Sequence, residues 1–166
     1  MRVARQVTKL IRVVAVVALA SLGLLSTLAH ASAIEEQLDC KSTGHVFISA
    51  LMQSGEIQPK PMHVEKNSIN AFRPVHGVKL TAFDFPVFVV LGYEKDDPLF
   101  KPGKGDPVAD WAYGVVVTGA SDDVRERLRQ TGSDAIVHEV TPVMTVILCK
   151  AHSRAKTQGA RLRLDS

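Results

Sequence analysis

The histidines are the residues of this sequence with the most chemical potential, because imidazole both binds metals and transfers protons near neutral pH. His63 and Glu65 stand two positions apart in an alternating segment, so both side chains would lie on one face of a strand. They could supply half of a metal site, which His138, or His45 from a predicted helix, would have to complete. The spacing alone favours scattered surface imidazoles. Metal binding by His63, Glu65 and His138 is therefore the alternative hypothesis, and no cofactor is predicted.

A second possible site is the turn at residues 119–121, which precedes a predicted helix and could bind an anion at the helix N-terminus. Asp122 and Asp123 follow directly. Two carboxylates at the positive end of a helix stabilise the helix and repel phosphate. The glycine patterns of a P-loop or a dinucleotide-binding turn are also missing. The pattern predicts helix capping.

The third candidate is the polar segment 94–110, since long loops in compact domains are usually functional or mobile. It is acidic, but its spacing is not that of a calcium loop, and three lysines offset the charge. Four aromatic residues in or beside it form a candidate recognition patch: Tyr93, Phe100, Trp111 and Tyr113. Tyrosine and tryptophan are enriched in binding surfaces. Roles in the core or in anchoring the loop are the competing interpretation.

Nucleophilic catalysis finds no support in the sequence. No serine lies in a Gly-x-Ser-x-Gly turn. The two cysteines, Cys40 and Cys149, are predicted to form one disulfide, as expected for an exported chain. No catalytic residue is predicted, and the sequence favours a protein without enzymatic activity.

Export is indicated by the first 33 residues, which have the pattern of a cleaved signal peptide. Four basic residues precede an apolar stretch at 13–25, and two overlapping small-x-small cleavage sites follow at 29–31 and 31–33. The alternative is an uncleaved membrane anchor, although the apolar run is short for a spanning helix. The alanine-rich signal is typical of bacterial export substrates, and we predict a periplasmic or secreted protein.

The basic charge of the chain lies outside its predicted domain. Residues 34–149 hold 11 basic and 16 acidic side chains, so the domain does not have the charge of a nucleic-acid-binding protein. Residues 151–166 are predicted to be a basic disordered tail, because they lack an apolar period. Membrane contact is expected only through an uncleaved signal or, weakly, through this tail.

The hydrophobic pattern of residues 34–150 predicts a single α+β domain with two helices and a mostly antiparallel sheet of about five strands. The helices are expected at 42–54 and 122–130. The strands are expected at 62–67, 78–93 (in two parts, with a bend or bulge near Phe85 and Pro86), Trp111–Thr118 and 136–149. Trp111–Thr118 and the strand after the second helix could be parallel neighbours, joined by a right-handed crossover. The predicted function is binding of a protein or envelope component.

Overall fold

The computed structural model describes residues 31–151. Residues 1–30 of the predicted signal and residues 152–166 of the predicted tail lie outside the described residues, whereas residues 31–33 of the predicted signal are described. Eight strands form one mostly antiparallel sheet with two α-helices, which confirms the α+β class. The expectation of about five strands is wrong, because two three-residue strands, Ala31–Ala33 and Asn70–Phe72, are too short to show a hydrophobic pattern and the segment predicted at 136–149 forms two strands.

The strands are β1 Ala31–Ala33, β2 His63–Val64, β3 Asn70–Phe72, β4 Lys79–Ala82, β5 Phe85–Glu94, β6 Trp111–Thr118, β7 Ile136–Thr141 and β8 Met144–Lys150. The helices are α1 Gly44–Gln53 and α2 Ser121–Thr131, and a 3-10 turn spans Glu35–Leu38. The order across the sheet is β1-β4-β5-β6-β8-β7, and β3 pairs with β5 and carries β2. The only parallel pair among these strands is β1 with β4.

Strand β5 contributes to two hydrophobic clusters because a bulge changes the direction of its side chains. Its register with β6 shifts between Val87 and Val89. Val87 packs against the main core, whereas Val89 and Leu91 belong to a smaller cluster on the opposite face. Regular alternation would put these three residues on one face, but the extra residue at the bulge, Phe88, inverts the alternation.

The chain reverses between β4 and β5 at Phe83 and Asp84, two residues before the predicted bend. Both residues have positive φ angles, of 53° and 71°. Consecutive positive φ angles are typical of the tight turns that join hairpin strands. Neither residue is a glycine, so the sequence carried no strong signal for this turn.

The helix α2 connects two strands that run in the same direction but are not neighbours. β6 pairs with β8 along its whole length, and β7 pairs with β8 on the other side. The predicted parallel contact of β6 with the strand after α2 is therefore wrong. The physical reason is composition, because apolar β8 is buried at four positions whereas β7 is exposed at all but one.

Both helices cover the same face of the sheet. α1 contributes Phe47, Ile48 and Leu51 to the main core, and α2 contributes Val124 and Leu128. α1 approaches the sheet closely because Gly44 has no side chain. A Cβ atom there would lie 2.2 Å from the Tyr93 carbonyl oxygen.

The predicted disulfide between Cys40 and Cys149 is confirmed. It joins the segment before α1 to the end of β8 across a Cα–Cα distance of 5.0 Å. Beside it, the Ser42 amide donates a hydrogen bond of 3.3 Å to the Tyr113 hydroxyl. Neither α-helix within residues 31–151 has the length and apolar character needed to cross a bilayer.

Candidate functional site

The histidines of the predicted metal site lie at opposite edges of the sheet. His63 is on β2 and contacts Glu65, with 3.4 Å between Nε2 and Oε1, and both side chains are exposed. His138 lies on β7 at the far margin. Within residues 31–151, no group of three histidine, cysteine or acidic side chains is placed to hold a metal ion.

His45 takes part in the capping of α1. Its Nδ1 lies 2.6 Å from Asp97 Oδ2, and its amide donates a 2.8 Å hydrogen bond to Glu94 Oε2. The first turn of α1 contains no acidic residue of its own. These two carboxylates at the end of β5 and in the following loop therefore stabilise the positive end of the helix.

Three of the four aromatic residues of the predicted recognition patch are buried. Tyr93, Phe100 and Tyr113 belong to the core, and Trp111 is half-buried and stacks on Tyr113. Phe100 reaches from the loop to Tyr93, with ring centroids 6.3 Å apart. These contacts anchor the loop and α1 to the sheet.

The long loop is fixed to the sheet by a buried polar side chain, Asn70 on β3. Its amide nitrogen donates to the Ser68 and Lys101 carbonyls, and its Oδ1 accepts from the Lys101 amide at 3.0 Å. All three hydrogen bonds of the Asn70 side chain are made to main-chain groups. The side chain therefore bonds to the loop backbone in the way that a neighbouring strand would. The segment 95–110 is therefore fixed to the sheet, where Phe100 packs in the main core and Val108 contacts both hydrophobic clusters.

A cleft of about 490 Å³ lies between α2 and β7. It is lined by Asp122, Arg125, Leu128, Arg129, Ser133, Ala135 and Val137. Leu128 and Val137 give it an apolar floor, whereas the two arginines and Asp122 stand at the rim. Pockets with an apolar lining and a few convergent polar groups are typical binding sites.

The rim arginines form exposed ion pairs with acidic residues of their own helix. Arg125 Nη1 donates to Asp122 Oδ1 at 3.0 Å and to Ser121 Oγ at 3.1 Å. Arg129 pairs with Glu126 three residues earlier. Exposed ion pairs of this kind contribute little to stability, so both guanidinium groups are able to exchange these partners for a ligand.

Ser121, which the sequence placed in a capping turn, has a different contact. It is the first residue of α2, and its hydroxyl donates to Glu139 Oε2 on β7 at 3.0 Å. Asp122 and Asp123 occupy the first helical turn, as the charge argument requires. The bond from Ser121 to Glu139 links α2 to β7 at one end of the cleft.

Strand β7 forms one margin of the sheet. It pairs with β8 alone, and its other edge has no strand beside it among residues 31–151. Of its six residues only Val137 is partly covered, and Ile136 and Val140 are 37% and 55% exposed. The cleft and this edge together form one surface, here called the α2–β7 surface.

The sequence analysis did not identify Arg125 and Arg129 as candidate site residues. The signal available was their spacing of four residues, which puts both on the side of α2 that Leu128 shares. Recognising the cleft also required knowing that β7 lies under this helix.

The chain matches no protein-family description, no curated protein and no solved structure.

Proposed function

We propose that the protein is a small exported module that acts by binding a protein or an envelope component, in the periplasm or outside the cell. A signal-like N-terminus and a disulfide between Cys40 and Cys149 support an oxidising compartment. The disulfide and the anchored loop make the sheet a rigid platform, and a rigid platform binds with a smaller loss of conformational entropy.

The α2–β7 surface is the observation that carries this proposal. It combines this cleft with a strand edge that has no neighbour among the described residues. Strand edges present unpaired N–H and C=O groups, which proteins normally cover or use for recognition. The exposed side chains of Ile136 and Val140 add apolar area along the same strand edge.

A protein partner suits the charge of the domain better than a nucleic acid. Acidic residues outnumber basic ones in residues 34–149, and only two arginines line the cleft. A nucleic acid would require a larger basic surface to neutralise its phosphates. The basic residues after Lys150 leave weak, salt-sensitive attraction to anionic lipid as a secondary contact.

Site-specific photocrosslinking would test the proposal. A photoreactive residue at Ile136 should yield a defined covalent adduct when the full chain is exported by a living bacterium. The same residue at Lys60, an exposed site in a linker, serves as the control. An absence of adducts at Ile136, or identical adducts at both positions, would contradict binding through this surface.

A further inference from the structure

We propose that the α2–β7 surface binds an extended peptide segment of a partner, with acidic and apolar residues in alternation, which adds to β7 as a further strand. This inference rests on the proposed function and specifies the chemical class of its ligand. It follows from three observations: the free edge of β7, the position of the cleft beside that edge, and the arginines on its rim.

The geometry of strand addition places half of the peptide side chains over the cleft. A strand beside β7 would lie about 4.8 Å away, and its side chains would alternate between the two sheet faces. Val137 points to the helix-covered face, since it pairs with buried Ile147. Peptide side chains beside Val137 would therefore enter the cleft under α2.

The charges at the cleft favour carboxylates among these helix-facing side chains. A glutamate could lay its methylene groups on Leu128 and Val137 and reach the guanidinium groups of Arg125 and Arg129. The peptide carboxylate would therefore replace Asp122 and Glu126 as the partners of these arginines, whereas Glu139 accepts its hydrogen bond from Ser121. Asp122 also points outward, with its side chain 95% exposed.

The opposite face of β7 favours apolar side chains. Ile136 and His138 lie on the helix-free face, because they pair with Leu148 and Val146 of the second cluster. A valine or isoleucine of the peptide would cover the exposed part of Ile136. The bulge between Glu139 and Thr141 ends regular pairing, so the contact spans residues 136–139.

Charge also argues against two competing occupants. The C-terminal residues of this chain are basic, with Arg154 and Lys156 nearest the domain, and would place cations against the arginine rim. A second copy could pair β7 with β7 in antiparallel fashion. The two α2 helices would then lie on the same face of the joined sheet and bring their arginine rims together.

The test is a binding titration of the mature protein with a synthetic peptide in which glutamate alternates with valine. We expect saturable binding that weakens with salt, with amide shift changes centred on Val137 and Leu128 in NMR spectra. A peptide with lysine in place of glutamate should not bind. Arg129→Glu should weaken binding about three- to tenfold, whereas Lys60→Glu, the same charge change elsewhere, should not.

Two peptides N-methylated at complementary alternate residues separate strand addition from side-chain docking. A strand bonds through every second residue, so one methylated peptide should bind and the other should not. Equal binding of both would overturn strand addition. Equal binding of the lysine peptide would overturn the charge argument.

Three further results would also overturn the inference. Peptide binding only after removal of residues 152–166 would identify the tail as the occupant. A dimer in sedimentation that Ile136→Lys dissociates would identify a second copy. Crosslinks at Ile136 without any peptide binding would reject the peptide class alone, whereas failure of both experiments would reject the proposed function as well.

Discussion

Loss of the disulfide should destabilise the protein strongly without unfolding it. The bond closes a loop with a sequence separation of 109 residues. Treated as a restriction on the unfolded chain, a loop of this length contributes about 5 kcal/mol at 25 °C. Strain and residual structure normally reduce that figure, so reduction should lower the free energy of unfolding by about 2–5 kcal/mol.

The native state should survive because the core does not depend on the bond. Tyr113, Ile147 and Leu51 are buried in one contiguous cluster that spans both helices and the sheet. Urea unfolding of the oxidised and reduced protein, followed by circular dichroism, measures the difference. The free energy of unfolding should fall more steeply with urea concentration in the reduced protein, because its unfolded chain exposes more surface.

The double variant Cys40→Ala with Cys149→Ala separates cross-linking from packing. Cys149 is 1% exposed, so its replacement also leaves a small cavity. The variant should be at least as unstable as the reduced wild type. A loss below about 1 kcal/mol in both would refute the entropic reasoning, and free thiols in protein from the periplasm would refute the bond itself.

The remaining predictions concern the loop anchor, the tyrosine beside the disulfide and the N-terminus. Asn70→Leu should destabilise by about 2–4 kcal/mol in urea unfolding, because the Lys101 N–H and C=O lose their partner; the exposed amide variant Gln58→Leu should have little effect. Burial raises the pKa of Tyr113 above its ordinary 10.0, and Asp39 adds to this rise. The unfolded state therefore loses this proton first, so stability should fall as pH rises above about 10, and less so in Tyr113→Phe. Mass spectrometry should place cleavage at the first of the two predicted sites, after Ala31. Cleavage after Ala33 would put a charged N-terminus at Ile34, which is buried and whose amide donates to the Thr81 carbonyl.

Each of these three has a distinct contrary outcome. Equal stability of Asn70→Leu and Gln58→Leu would mean that water replaces the lost bonds. Identical pH profiles for wild type and Tyr113→Phe would remove Tyr113 as the source of alkaline sensitivity. A mature chain that begins at Ile34 would show that β1 is not part of the exported protein.

The sequence predicted best those elements whose pattern is local. The apolar run Trp111–Thr118 matches β6, and the predicted helix at 42–54 contains α1, which ends before the positive-φ Gly55. The disulfide followed from the count of cysteines in an exported chain. β3 was not recognised as a strand, because three residues are too few to show alternation.

Long-range pairing set the limit of prediction for the sheet and for the site. Nothing in the sequence places β8 between β6 and β7. That order depends on which strand of the β7–β8 hairpin pairs with β6. The cleft depends on the same choice, since it exists only where α2 lies over β7. The spacing of the two arginines was visible in the sequence, but the apolar floor of the cleft comes partly from residues after the helix.

The position of β8 has a consequence for how the chain is synthesised and moved. β8 is the last strand to leave a ribosome or a translocation pore, yet it fills the gap between two strands that precede it. Until Lys150 has emerged, no strand can pair with both β6 and β7. Cys40 cannot form its disulfide either, because Cys149 lies 109 residues later in the chain. The sheet therefore cannot be completed, nor the disulfide closed, before the end of the domain has been delivered.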